Sequence, residues 1–201
     1  MKKIAVLFLS FSTLTFASFA QKAKCHFKNT RNLVGMHINA LDVTTPQVWK
    51  DNSAPRTLAP LKGQDFGFSI SAWKLICDKI DLSARFGMMF HNYAAVDRNQ
   101  NVINYNKIGI EIEPTANVKL FPDDSKFNGF VTTGFGIGGY GGKLGGYIPV
   151  GLGLQANFSN TVYFMLQTQY RKSFNDGTNK NSIMHSFGIA QTIGKNDFKR
   201  H

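Results

Sequence analysis

Four charged side chains offer the first chemistry in this sequence. Arg85, Glu111, Glu113 and Arg171 each lie in a stretch where polar and apolar residues alternate, and each falls on the polar side. Two carboxylates spaced two residues apart project from one face of an extended strand. That arrangement serves either a general acid–base pair or an ion-pair cluster. A catalytic pair needs a nucleophile or a metal ligand placed beside it, and neither accompanies Glu111 and Glu113, so no catalytic residue is expected. A cluster needs only opposite charges within reach. Strands folded about a connection centred near Asn99 set Arg85 roughly opposite Glu113, with Glu111 one diagonal step away and Arg171 arriving from a later strand. Arg85, Glu111, Glu113 and Arg171 are therefore expected to form an internal salt-bridge plug, since charges in an enclosed space need partners.

Other chemistry is thin. The five histidines, His26, His37, His91, His185 and His201, show no metal-ligand spacing, and no metal or other cofactor is expected. The glycines of Gly134-x-Gly136-x-Gly138-Gly139 and Gly141-Gly142 resemble a phosphate loop. A phosphate loop leads into a helix N-terminus, whereas Tyr147-Ile148-Pro149 starts another strand. The net charge of +11 is spread over Lys22, Lys24, Lys28, Arg31, Lys50, Arg56, Lys62, Arg98, Lys143, Lys172 and Lys180. No concentrated basic and aromatic patch points to nucleic acid, but such residues suit the phosphates of lipopolysaccharide or anionic lipid.

The elements that must position these residues are strands. Ile80, Leu82, Ala84, Phe86, Met88 and Phe90 alternate with Asp81, Ser83, Arg85, Gly87, Met89 and His91. Ile108, Ile110, Ile112, Pro114, Ala116, Val118 and Leu120 alternate with Gly109, Glu111, Glu113, Thr115, Asn117 and Lys119. Runs this long match the length of a tilted strand crossing a bilayer. Pro114 cannot donate to a ladder, which predicts a bulge or an unpaired position there. Six shorter alternations, beginning at Val34, Phe66, Val131, Ile148, Val162 and Phe187, complete a set of eight. Long polar connections are expected at Thr45 to Gln64, Ala94 to Asn106, Tyr140 to Gly146 and Phe174 to Asn181. Short turns are expected near Ile76 to Lys79, Pro122 to Lys126 and Ser159-Asn160. Even strand number and long–short alternation of connections describe an all-β fold, an eight-stranded antiparallel up-and-down transmembrane β-barrel.

Alternation by itself does not say which face is inside. Lipid outside is favoured by the small Gly, Ser, Thr and Asn residues of the polar faces, which fit a narrow lumen. It is also favoured by the aromatic residues Phe66, Phe90, Tyr93, Phe121, Phe127, Tyr147, Phe158 and Tyr170 near strand ends, placed as interfacial girdles. The chain start agrees. Lys2 and Lys3 precede an apolar run from Ile4 to Phe16, and Ser18-Phe19-Ala20 offers a cleavage site before Gln21, so residues 1–20 read as a signal peptide and 21–201 as the barrel domain. Export allows a disulfide. Cys25 precedes the first strand and Cys77 lies in the turn after the second, both at the periplasmic rim, which makes a bond between them plausible, with two free thiols as the other outcome.

The hairpin Phe68-Ser69-Ile70-Ser71-Ala72-Trp73-Lys74 through Lys79-Ile80-Asp81-Leu82-Ser83 resembles the small OmpA-like outer-membrane β-barrel proteins, especially those of Bacteroidota. Phe130 to Gly138 followed by Ile148-Pro149-Val150-Gly151-Leu152-Gly153-Leu154 carries the same likeness, as does Tyr170-Arg171 leading to Phe174-Asn175-Asp176. The resemblance implies a barrel in the cell outer membrane, in contact with outer-membrane lipid and lipopolysaccharide and inserted by the barrel-assembly machinery. Many such proteins continue into a peptidoglycan-binding domain, which is not expected after His201, and Phe198 is followed by Lys199-Arg200-His201 where an aromatic residue usually ends the last strand. The function expected is non-enzymatic: envelope integrity, adhesion or surface recognition through loops around Trp49 and Tyr105. A narrow channel or a small-ligand-binding lumen is the alternative. A lipid-modifying enzyme, using His91 or His185 with Ser182 or Ser186 near the external rim, is a third. Alternation carries no information on oligomeric state.

Overall fold

Alternating residues on this chain have one low-cost conformation, because only an extended backbone sends every second side chain the same way. The computed structural model describes residues 32–43, 45–46, 64–96, 102–122, 125–140, 143–159, 161–174 and 181–193. The expected signal peptide, Cys25, His26, Trp49 and His201 lie outside them. The strands are β1 (Asn32–Asp42), β2 (Asp65–Cys77), β3 (Ile80–Val96), β4 (Val102–Lys119), β5 (Phe127–Gly134), β6 (Gly136–Tyr140), β7 (Lys143–Asn157), β8 (Val162–Ser173) and β9 (Ser182–Ile193). Each pairs antiparallel with its neighbours, and β9 pairs back onto β1, from Asn32↔Ile193 to Asp42↔Ile183. β5 and β6 lie end to end between β4 and β7, so nine elements make eight staves of a closed barrel.

The interruption between β5 and β6 has a local cause. The ladder with β4 stops at Thr115↔Gly134 and resumes at Ile112↔Ile137 without a slip. The Phe135 N–H donates to the Pro114 carbonyl at 3.1 Å, but Pro114 has no N–H to return. Of the two outcomes expected at Pro114, the chain adopts the unpaired position.

Two connections are shorter than expected. β3 and β4 stay paired as far as Val96↔Val102, and β6 and β7 as far as Tyr140↔Lys143. Beyond the apolar band a ladder needs no apolar face, so the alternation fades while the hydrogen bonds continue. The strands tilt strongly, as closure of a small barrel requires. A row of directly paired residues runs Asn117, Thr132, Gly151, Gln169, Met184, Leu41. It starts near the end of the barrel that bears the short turns (the turn end) and finishes at the opposite end (the loop end).

Burial follows the alternation, with its sign inverted relative to a water-soluble protein. Met36 is 73% exposed and Leu152 67%, while Glu111 is 1% exposed and Asn117 fully buried. Apolar side chains from every stave make the outer wall, and most of the buried inward side chains are polar. A water-soluble barrel places these groups the other way round. Among the described residues no helix is long and apolar enough to cross a membrane. The apolar wall suits contact with lipid along strands that hydrogen-bond all the way round. Phe66, Phe90, Phe121, Phe127, Phe158 and Tyr170 stand on this wall. Tyr147, expected among them, instead points inward and is buried, because its register puts it over the lumen-facing Gly136.

Candidate functional site

A lumen lined by eight staves leaves little room, and four of the large inward side chains are accommodated by a glycine directly across the ladder. Phe130 covers Gly153, Tyr147 covers Gly136, His37 covers Gly188 and Met89 covers Gly67. A side chain on any of these glycines would collide with the ring or thioether above it. These pairings fix where bulk sits, and the polar chemistry fills what is left.

The main polar assembly crosses the lumen from β8 to β4. Arg171 donates from Nη1 to Glu111 Oε2 at 2.8 Å and from Nη2 to Glu111 Oε1 at 2.9 Å, a bidentate pair. The same Nη2 reaches Glu113 Oε2 at 2.8 Å. The guanidinium lies 4.6 Å from the centre of the Tyr147 ring, whose hydroxyl donates to Glu111 at 3.4 Å. Gln169 donates to both oxygens of Glu113 at 3.0 and 2.8 Å. Gln167 donates to Gln169 at 2.9 Å, and Arg85 donates from Nη2 to Gln167 at 2.5 Å. Arg85 also stands 3.9 Å from Glu113. Two arginines and two glutamates thus balance inside one wall, all 5% exposed or less.

Arg85 pairs with Glu113 in the β3–β4 ladder, yet its shorter bond goes across the lumen to Gln167. Sequence reading missed Gln167, Gln169 and Tyr147, because contacts across a barrel depend on its tilt, which local alternation does not encode. It also missed a smaller group at the turn end. There Lys119 meets Asp81 at 2.6 Å, Asn117 donates to Ser83 at 2.9 Å, and Ser83 and Thr115 share a bond of 2.6 Å. A third group joins His37 Nε2 to Ser71 Oγ at 2.6 Å, with Trp73 Nε1 donating to the same oxygen at 2.8 Å.

Apolar side chains close the lumen above and below. Leu33, Trp73, Phe130, Tyr163, Met165 and Ala190 cluster toward the turn end. Leu41, Met89 and Met184 cluster toward the loop end. Above the latter, His91 Nδ1 bonds Asp65 Oδ2 at 2.7 Å.

The histidines weighed for an enzyme do not converge. His91 faces the lumen, whereas His185 lies on the outer wall and bonds Thr168 Oγ1 at 3.0 Å. Ser186 points to the opposite side of the wall from His185. Among the described residues no three His, Cys, Asp or Glu side chains are placed to hold a metal ion. Cys77 is disulfide-bonded. Cys25, the chain's other cysteine, is outside the described residues.

No protein-family model matches the sequence, and no characterised protein matches it in sequence. Solved structures do match. The N-terminal β-barrel domain of Pseudomonas aeruginosa OprF superposes with a TM-score of 0.51 at 12% identity, covering 86% of this chain and all of that one. Neisserial surface protein A superposes at 0.50 with 13% identity, covering 82% of this chain and 97% of its own. The fold is that of the small OmpA-like outer-membrane barrels. At this identity the likeness is one of architecture: closed staves, an apolar outer wall and a polar interior.

Proposed function

We propose that the protein is a non-enzymatic scaffold of the cell outer membrane, reached after a signal peptide at residues 1–20 is removed. It holds a closed barrel in lipid and presents its loop end for envelope integrity or surface recognition. The observation that carries this reading is the hydrogen-bonded chain from Arg171 through Glu111, Glu113, Gln169 and Gln167 to Arg85, which spans the lumen with its charges balanced. A conducting pore needs an open aqueous path, and an eight-stranded lumen is narrow enough for side chains to fill. Here both apolar ends and the polar middle are occupied.

Outer-membrane lipid and lipopolysaccharide are its immediate partners on this reading, and the barrel-assembly machinery inserts it. A Cys25–Cys77 disulfide would tie the segment before β1 to the last residue of β2. Single-channel recording in planar bilayers tests the closed lumen. The wild-type barrel is expected to be silent, and Arg85→Ala, which removes one end of the chain, is expected to admit measurable current. Steady ion conduction by the wild type, or silence in both proteins, would sink the charge chain as the element that shuts the lumen.

A further inference from the structure

The β3–β4 hairpin outgrows the wall it belongs to. Its ladder continues to Val96↔Val102, whereas β4 keeps a partner on its other side only as far as Ile110↔Gly139. β6 ends at Tyr140, which already pairs with Lys143 of β7, so the chain turns back there and cannot follow β4 further. Among the described residues no strand covers the edge that remains. From Ile110 to Val102 that edge is about 27 Å of extended chain.

Hydrogen bonds lower in the barrel decide which groups line it. In an antiparallel ladder each residue turns its N–H and C=O to one side, and successive residues turn to opposite sides. The Lys119 N–H donates to the Lys79 carbonyl, toward β3, at 2.7 Å. The Leu120 N–H donates to Gly129 and the Pro114 carbonyl accepts from Phe135, both on the other side. The ladders of β4 run without a register shift, so this alternation carries up the strand. Ile103 and Tyr105 therefore turn their backbone groups to β3, while Val102, Asn104 and Asn106 turn theirs to the open side. Unpaired backbone is not tolerated in lipid, which puts this edge above the bilayer. The sequence agrees, because Ile108, Ile110 and Ile112 give way there to Asn106 and Asn104. Exposed edges are commonly guarded by lysine, proline or a bulge. The run Val102-Ile103-Asn104-Tyr105-Asn106 has none of the three.

We propose that this edge docks an extended segment of another polypeptide chain, which adds to β4 as one more strand at the loop end. The spacing of the groups selects that partner. Donors and acceptors recur at every second residue, about 6.8 Å apart, a repeat that an extended backbone matches and a lipid or a sugar does not. The segment must be free of proline where it faces β4, since proline has no N–H to give. A second copy in the same membrane fits poorly. A two-fold axis along the membrane normal would set the two β4 strands parallel with identical residues facing, N–H against N–H, whereas a parallel ladder needs its bonds slanted between staggered residues. The proposal deepens the surface-recognition reading and rests on it.

Amide hydrogen exchange of the full barrel in lipid nanodiscs tests it, with a heptapeptide of alternating threonine and valine as the probe. Alternate amides of the peptide are N-methylated, so that one edge can pair and the peptide cannot stack on itself. In the barrel alone, Asn104 and Asn106 should exchange faster than Ile103 and Tyr105. With free peptide at about ten times its dissociation constant, exchange at Asn104 and Asn106 should slow about tenfold. Asn104→Pro removes one N–H from the open edge and none from the hairpin, and it should weaken peptide binding about fivefold. Asn104→Thr keeps that N–H and should bind as the wild type does. Asn106→Pro gives the same reading if Asn104→Pro does not fold, as judged by migration in cold SDS. The docking edge is overturned if Asn104 and Asn106 exchange as slowly as their neighbours without peptide, if peptide up to its solubility limit leaves them unchanged, or if the proline variant binds as tightly as the wild type. Protection that grows with barrel concentration alone would assign the edge to a second copy and overturn it as well. Steady conductance by the wild type would instead overturn the closed-scaffold reading while leaving these amides as they are, so the two failures are distinct.

Discussion

Arg171 shows what one residue contributes when it serves two carboxylates at once. Both Glu111 and Glu113 depend on its guanidinium, and no lysine reproduces that geometry, because a single ammonium has no planar fork. Arg171→Met would leave two buried carboxylates short of a counter-ion, which costs about 3–5 kcal/mol in buried pairs. A matching drop in the midpoint of urea unfolding in detergent or lipid is expected, and an unchanged midpoint would mean the lumen is wet enough to solvate the glutamates. The residues of this network were legible as types: charges on the polar faces of apolar-banded strands must meet inside. Their partners were not. Gln167 and Gln169 look like ordinary polar-face residues in the sequence, and only the stagger that carries β8 across from β4 reveals them as the link between the two arginines.

Strands carry the next level of argument, and their two faces obey different rules. On the outer face, hydrophobicity decides. Leu152→Arg places a cation on the apolar wall, and if that position lies near the bilayer midplane it should cost about 2–4 kcal/mol, read as loss of folded protein in a vesicle-folding titration. On the inner face, volume decides. Gly153→Val puts a branched side chain under the Phe130 ring and should cost about 1–3 kcal/mol by overpacking, with Gly153→Ala falling lower in the same titration. The alternation exposed both faces for all eight staves, including the missing ladder bond at Pro114. It failed at Val96↔Val102 and Tyr140↔Lys143, where strands leave the apolar band and continue on backbone hydrogen bonds that no side-chain pattern announces. It also misplaced Tyr147, since an aromatic residue near a strand end is a girdle residue in one parity and a lumen residue in the other.

For the whole molecule, closure is the property that matters. A barrel without edges should keep its fold in cold SDS and shift its migration on boiling. Equal migration of boiled and unboiled samples would count against a closed transmembrane barrel. Reduction with dithiothreitol should lower the boiling temperature needed for that shift while leaving the unboiled band compact, because the bond at Cys77 constrains the unfolded chain more than it holds the staves. Closure has another consequence. The seam is made by β1 and β9, the first and last of the described strands, so the contact that completes the wall joins residues as far apart in sequence as Asn32 and Ile193. Contacts of that separation form late and slowly. Until they form, β1 and β9 each present an open row of backbone groups ready to pair with another chain. Closure of β1 against β9 therefore sets the moment at which this protein is safe from aggregation, and truncations within β9 should show up as proteolysed or aggregated chain, not as smaller barrels.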